Sequence, residues 1–504
     1  MVKNFKNNDL MTNRLLLNMA FAPTSDLIFK GSLSFNKAFG ANTPNPNTGY
    51  PQRGFAYDTF DWVVNENLID NNLRVKEAYW LYMGDSFLGN EDISWTASIG
   101  RRPSTDGFLT NLRESNSKYK SPLGHIINVE FDGASFRFGI DKLTNAPGMY
   151  VKACLGRGLT NARSRFNTDG GLNSFGDYTK DETTIQDIDM LGLIFVPYDN
   201  GQYKVMSKVY RGTNVPGFTM AEGTLENDFT LSNNAGMVGS LEASWSQTGT
   251  FQGVKGKSMN QSVSMKSLGD MDGSAISFQA DGIGDGINDF LDNTIFFASY
   301  AYSKTRPSNA YDTLDLSAFD GFKGFTASQI DGALVQMGMT SADLDGNGAI
   351  DSDAENGAFS SNMAAAANNM PKAKSGMLGS TESETGHSVY VGVQMPCPVT
   401  EDGRIGVEYN EGSKYWRSFT YGEDTLAGSK LGARGDAVEI HYTKPLMKGL
   451  TAQVRYTRIN YDYTGSQGFF GNDGTPMTMS EAQGFGLDPV EKATDLRAYI
   501  RYSY

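Results

Sequence analysis

The chain of 504 residues holds two cysteines and three histidines. Two cysteines give no disulfide framework and no cysteine-type zinc site. His125, His387 and His441 are scattered, with no second histidine at metal-ligand spacing. Basic side chains are also in deficit, 43 against 57 acidic, for a net charge of −14. That excludes a nucleic-acid binder, whose affinity comes largely from Lys and Arg on phosphates. No apolar run reaches the ~18 residues of a membrane helix; the longest is "MLGLIFV", Met190–Val196. The opening "MVKNFKNNDLMTNR" lacks the apolar stretch and cleavage site of a signal peptide. Apolar residues make up 39%, too few for the three or so soluble cores that roughly 150 residues per domain would suggest. Enzyme motifs are missing as well: there is no G-x-S-x-G, P-loop or H-E-x-x-H, so no enzyme activity is expected. His387 beside Ser388, and His441 near Glu439, read as coincidence.

Glycine (57), Phe (30) and Tyr (24) are plentiful, which suits many strands and many loops. The last residues, "ATDLRAYIRYSY", put Leu496, Ala498, Ile500, Tyr502 and Tyr504 on one strand face, and Asp495, Arg497, Tyr499 and Arg501 on the other. A strand apolar outside, charged inside and ending on an aromatic closes many outer-membrane barrels; an edge strand of a soluble sandwich has the same alternation. The alternation recurs at 27–36, 93–100, 135–140, 388–395, 404–410, 438–443 and 451–457. These stretches approach the roughly 9–11 residues that cross a bilayer, beyond the usual sandwich strand.

Short turns are expected at Pro23–Asp26, Asp85–Asp92, Asp132–Gly133, Tyr198–Gly201, Pro396–Gly403 and Leu446–Gly449. Long polar loops are expected at 41–73, 103–123, 159–185, 211–236, 306–385, 413–435 and 464–492. Residues 142–158 and 247–293 resist the scheme. The fold class is therefore all-β: a transmembrane antiparallel β-barrel of about 16 strands. It carries long extracellular loops and a small helical EF-hand-like insert. Only about fifteen strands can be counted, and single-chain bacterial barrels have even numbers, so a missing N-terminal strand and leader are expected. Residues 1–306 and 384–504 would form the barrel, and 307–383 the extracellular insert, with its EF-hand-like part at about 326–369.

Within that insert, "DLDGNGAIDSDA" (343–354) follows a calcium loop. Asp343, Asp345 and Asn347 take positions 1, 3 and 5, Gly348 the sharp turn, Ala349 the backbone carbonyl and Asp351 position 9. Position 12 is Ala354, so a one-residue adjustment must bring in Glu355. A structural Ca2+ clip is expected, against a solvated Asp/Gly turn. Helices should flank it, since Ile330, Leu334 and Met337 recur at helical spacing and 354–369 is rich in Ala.

Inner-wall candidates are Arg14, Lys30, Arg102, Arg137, Arg404, Arg455, Arg497 and Arg501, against Glu130, Glu408 and Glu439. A basic lumen would favour anionic solutes; paired in Arg–Glu ladders, the same residues would set no net selectivity. Arg101 and Arg102 could form a constriction or anchor a loop, and the anchor is favoured.

Four stretches resemble an uncharacterised family of porin-like outer-membrane proteins from epsilonproteobacteria. They are "NNDLMTNRLLLNMAFAP" (7–23), "GINDFLDNTIFFASYAYSKTRP" (286–307), "YWRSFTYGEDTLAGSKLGARGDAVEIHYTKPL" (415–446) and "LTAQVRYTRINYDYTG" (450–465). The resemblance implies a barrel in the outer membrane and supplies no catalytic residues. The expected function is a channel for passive diffusion of small hydrophilic solutes or ions. Expected partners are outer-membrane lipid and, through the C-terminal aromatic strand, the barrel assembly machinery. A homotrimer is expected by analogy only. The alternative is a non-conducting surface barrel whose loops act in adhesion or partner binding. A sheath around an electron carrier would need a partner, since no C-x-x-C-H haem motif is present.

Overall fold

The computed structural model describes residues 9–39, 72–102, 104–116, 118–159, 186–220, 230–232, 242–255, 263–314, 316–369, 372–420, 427–466, 475–484 and 488–504. Among these, fifteen strands form one antiparallel sheet in which each strand pairs with the next in chain order. They are β1 (Thr12–Phe21), β2 (Leu27–Ala38), β3 (Arg74–Gly84), β4 (Ser94–Arg102), β5 (Phe131–Gly139), β6 (Tyr150–Leu159), β7 (Ile188–Asp199), β8 (Tyr203–Met220), β9 (Val263–Asp281), β10 (Ile295–Pro307), β11 (Thr385–Pro396), β12 (Arg404–Gly412), β13 (Gly435–Met447), β14 (Leu450–Tyr461) and β15 (Lys492–Tyr502). In such a meander β1 and β15 run in the same direction. Among the described residues β1 pairs with β2 alone and β15 with β14 alone.

Period-two alternation decides which face looks out. On β7, Leu191, Leu193 and Phe195 are exposed while Ile188, Met190, Ile194 and Val196 are buried. Leu15, Trp80, Ile99, Val209, Ile276, Tyr300, Val389, Ile440, Val454 and Ile500 extend the exposed apolar band. A surface this apolar belongs in lipid, and the strand ladder satisfies the backbone there. At the short-turn end, aromatic rings pair across strands, Phe29 with Trp80 and Tyr82 with Trp95, each at 5.3 Å between centroids. At the long-loop end the outer face turns ionic: Arg101 pairs with Asp132 at 2.8 Å, Arg157 with Asp189 at 2.6 Å and Arg211 with Asp272 at 2.7 Å. An apolar belt between an aromatic girdle and a charged rim is that of an outer-membrane β-barrel. No described helix is long and apolar enough to cross a membrane.

Three expectations need correction. Asp132–Gly133 is no turn: both lie in β5, where Asp132 faces Arg101 in register. The short turn falls instead at 140–149 and contains the helix Asp141–Thr144. The polar stretch from 211 continues β8 to Met220, and 247–293 contains β9, so the long connection there is 221–262. These two strands, 18 and 19 residues long, outrun the bilayer crossing, and no periodicity signals where the lipid stops. Finally, the described residues of 103–123 do not project outward as a loop; they enter the barrel.

Beyond the rim, residues 242–255 and 316–369 share an apolar core around Phe251, Phe319, Ile330, Leu334, Phe359 and Met363. Helix Ala327–Gln336 starts in a capping box formed by Thr326 and Gln329, and Asp353–Asn369 forms the second helix.

Candidate functional site

Residues 104–130 leave β4 at the long-loop end and fold down inside the barrel. The driving force is apolar. Phe108, Leu109, Leu112, Leu123, Ile126 and Ile127 are buried with the inner-wall residues Met190, Ile194, Val196 and Met206. Each such side chain gains about 1.5–3 kcal/mol over exposure to water. Polar contacts fix the position. His125 is fully buried, its Nδ1 at 2.8 Å from Ser299 Oγ on β10 and its Nε2 at 2.9 Å from Ser388 Oγ on β11. Burial pushes its pKa down to about 3, so the ring is neutral. Gln394 and Gln453 side chains donate to the backbone carbonyls of Leu112 (3.0 Å) and Arg113 (2.8 Å). A second segment, 413–420, bonds alongside: Asn128 N–H donates to the Phe419 carbonyl (2.7 Å) and Phe419 N–H to that of Ile126 (3.0 Å). Trp416 fits where Gly386 and Gly412 carry no Cβ; one added at Gly386 would come within 2.4 Å of the Trp416 backbone.

The charged inner wall divides in two. On β12–β15, acids and bases are paired. Glu114, at the tip of the inner segment, meets Arg455 at 2.7 Å and also Arg501, and accepts from the Tyr499 hydroxyl at 2.7 Å. Burial alone would raise its pKa, but Arg455, Arg501, Arg113 and Tyr499 outweigh it and hold the carboxyl well below the usual range. Glu408 accepts from the Tyr390 hydroxyl at 2.7 Å and pairs with Lys430, whose ammonium also lies 2.9 Å from Glu439. Glu439 further accepts from Thr457 at 2.9 Å. Glu408, Glu439 and His441 bring three buried donor groups within 4.8 Å. Lys430 and Arg455 already balance the acids, so this trio is an ion-pair network rather than a cation trap.

On β4–β8 the pattern differs. Arg137 stacks on Tyr150 with its guanidinium 4.3 Å from the ring centre. Arg102, Arg137, Lys152 and Lys208 all face inward with no acid at ion-pair distance among the described residues. Lower on this wall Lys204 pairs with Asp199 at 2.6 Å and donates to the Tyr119 hydroxyl at 3.0 Å. Burial pushes the Tyr119 phenol up to about 12.

All nine candidate pore residues sit on the inner face. Arg102 and Arg137 belong to the unpaired group, and Glu408, Glu439, Arg455 and Arg501 to the paired one. Arg404 lies near the short-turn rim, bonded to Gln394 (3.2 Å) and the Asn293 carbonyl (2.9 Å). Lys30 shares the inner face of β2 with Ser32 and Ser34, and Arg497 that of β15 with Tyr499. Glu130 is buried against Lys76 at 2.9 Å. His387 is outward and stacks near Tyr300. Sequence reasoning missed Glu114, Lys152, Lys208, Lys430 and the inner role of His125. The alternation of β6 and β8 carried a signal for Lys152 and Lys208. Glu114 and Lys430 lie in loops, where period two says nothing.

In the outer insert, the carboxylates of Asp343, Asp345 and Glu355 lie within 4.8 Å of one another. Asp343 accepts the N–H groups of Gly346, Asn347 and Gly348 (2.8, 3.1 and 2.8 Å). The Asn347 side chain donates to Asp345 at 2.9 Å, and its Oδ1 accepts the Ala349 N–H at 2.7 Å. Glu355 is buried and accepts from Ser352, Asp351 and Leu344; those bonds, led by that from Ser352, lower its pKa to about 2. All-oxygen donors of this kind suit a hard cation.

Residues 4–504 match the family profile described as "Protein of unknown function (DUF3373)". No curated protein matches the sequence. Similar solved structures include an anion-selective porin from Comamonas acidovorans, 9% identical, with 98% of this chain and 90% of that one covered and a TM-score of 0.41. Another is a Salmonella typhi OmpF complex with daunomycin, at 11% identity, 99% and 93% coverage and a TM-score of 0.39. In-vitro folded OmpT, an outer membrane protein of Vibrio cholerae, is 8% identical, with 97% and 89% covered and a TM-score of 0.37. Likenesses this distant carry no argument about function.

Proposed function

Since the chain belongs to the DUF3373 family of proteins of unknown function, its activity must be argued from the barrel itself. We propose an outer-membrane channel for passive diffusion of small hydrophilic solutes, narrowed by residues 104–130. The observation that carries it is where this segment lies. It packs against the wall from β7 to β11 and bonds to β14 and β15, while Thr12, Arg14, Leu16 and Asn18, in register with the inner row of β2, are exposed. The remaining passage is lined by charge and hydroxyls from Arg14, Lys30, Tyr499 and Arg501, as water-filled transit requires. Proteoliposome swelling tests this. Arabinose should enter and a trisaccharide should lag far behind. No swelling with a folded, heat-modifiable barrel would overturn the proposal.

The dense apolar packing between the inner segment and β7–β11 favours one alternative, a closed barrel whose outer insert binds partners. Swelling separates the two. For the insert itself we propose a structural Ca2+ site formed by Asp343, Asp345, Asn347, the Ala349 carbonyl, Asp351 and Glu355. Millimolar Ca2+ should protect residues 326–369 from protease, and Asp343→Asn with Asp345→Asn should abolish that protection. Equal cleavage with Ca2+ and with chelator would count against the site.

A further inference from the structure

Four inward cations, on β4, β5, β6 and β8, lie near one another with no carboxylate at ion-pair distance among the described residues. Arg137 and Lys152 are direct cross-strand partners, and the same row continues through Ile194 to Lys208. Lys152 feels the positive charges of Arg102, Lys208 and Arg137, and Lys208 that of Arg102; the Cys154 thiol lies among them and is hydrogen-bonded to Arg102. Lys208 is only 5% exposed, and Arg102 Nε is buried without a hydrogen-bond partner. Like charges opposite each other destabilise a sheet, and a buried charge needs a counter-charge. On β12–β15 Arg455 and Arg501 each meet an acid, as does Lys430 beside them; among the described residues Arg102, Arg137, Lys152 and Lys208 do not.

A cleft opens beside Arg102 and Lys208; its empty space of about 510 Å3 includes open solvent at the mouth. One side presents Arg102, Lys208 and the Ser104 hydroxyl; the other is apolar, with Ile127, Met190 and Ile194. Gly192 keeps the floor between them low: a Cβ there would touch the Lys208 side chain at 3.6 Å. Two donors at one end and an apolar wall at the other describe an amphipathic anion.

We propose that this cavity binds a small monocarboxylate with an apolar body, such as an aromatic acid. The carboxylate sits between Lys208 and Arg102, and the body lies on Ile127, Met190 and Ile194. Arg137 and Lys152 stand one step away and raise the local anion concentration. A hydrophilic dianion such as phosphate would satisfy the charge but leave the apolar wall unused. The inference deepens the channel proposal and rests on it only for the ligand's passage; binding is a separate observable.

The test is titration calorimetry at pH 7 on the folded full chain in detergent, with benzoate, benzyl alcohol and inorganic phosphate as probes. Saturable benzoate binding is expected, with none for benzyl alcohol and at least tenfold weaker binding for phosphate. Lys208→Met should weaken benzoate at least tenfold, and Arg102→Gln should do the same should the first variant fold poorly. Lys152→Met should raise the thermal midpoint of the ligand-free barrel, because it removes a like charge. Absence of benzoate saturation in a heat-modifiable barrel, phosphate binding as tight as benzoate, or an unchanged affinity in both cavity variants would each overturn the site. Swelling without benzoate binding would remove this inference and leave the channel; binding without swelling would do the reverse.

Discussion

Glu114 and His125 hold the inner segment by opposite means, one charged and one neutral, yet acid weakens both. The Glu114 carboxyl is depressed by Arg455, Arg501 and Arg113 against the effect of burial. Its contribution is complete above the ordinary value of 4.5 and fades as pH falls through the depressed one. His125 is kept neutral by burial, at about 3 against an ordinary 6.5. Below 6.5 the released segment takes up a proton that the docked one refuses, so docking weakens progressively from pH 6.5 toward 3. Amide exchange of 104–130, corrected for intrinsic rates, should therefore speed up between pH 7.5 and 4.5 while β9 and β10 stay protected. His125→Gln should flatten that dependence. Glu114→Gln leaves Arg455 buried with less counter-charge and should cost on the order of 3 kcal/mol in chemical unfolding. On the wall, Gly392 makes room for the Phe297 ring, which a Cβ would approach to 2.3 Å. Gly392→Leu should destabilise by about 1–3 kcal/mol through overpacking.

At the scale of elements, residues 104–130 form a separable insert rather than part of the wall, since β4 and β5 pair directly, Arg102 with Phe131. Replacing 105–129 with a short Gly/Ser linker should leave a heat-modifiable barrel, with faster swelling and less size discrimination. An unchanged swelling profile would mean the segment does not limit passage. This element also shows where sequence reasoning stops. The wall was legible because lipid and lumen impose opposite demands on alternate residues of every strand. "GHIINVE" (124–130) carries an apolar cluster that reads equally well as a strand, and only the concave interior of the barrel turns it inward. That one ambiguity displaced the expected turn to Asp132–Gly133. The helices at 327–336 and 353–369 were readable from spacing and composition, as local signals are.

For the whole molecule, position was legible but pairing was not. Alternation put the basic and acidic side chains inside; it could not say that Glu114 would arrive from a loop to neutralise Arg455 and Arg501. Nor could it say that Arg102 and Arg137 would be left beside Lys152 and Lys208. Inner charges paired with acids and inner charges without them therefore both occur, on different walls. The expected wet lumen needs the same division, because the half facing β7–β11 is an apolar core and only the remainder can carry water. The central claim is that this remainder conducts. Single-channel recording of the folded full chain in a planar bilayer, under a salt gradient, tests it most directly. A small, steady conductance that grows when 105–129 is removed is the predicted result. A silent wild-type barrel, with intact heat-modifiable mobility and confirmed insertion, would contradict it.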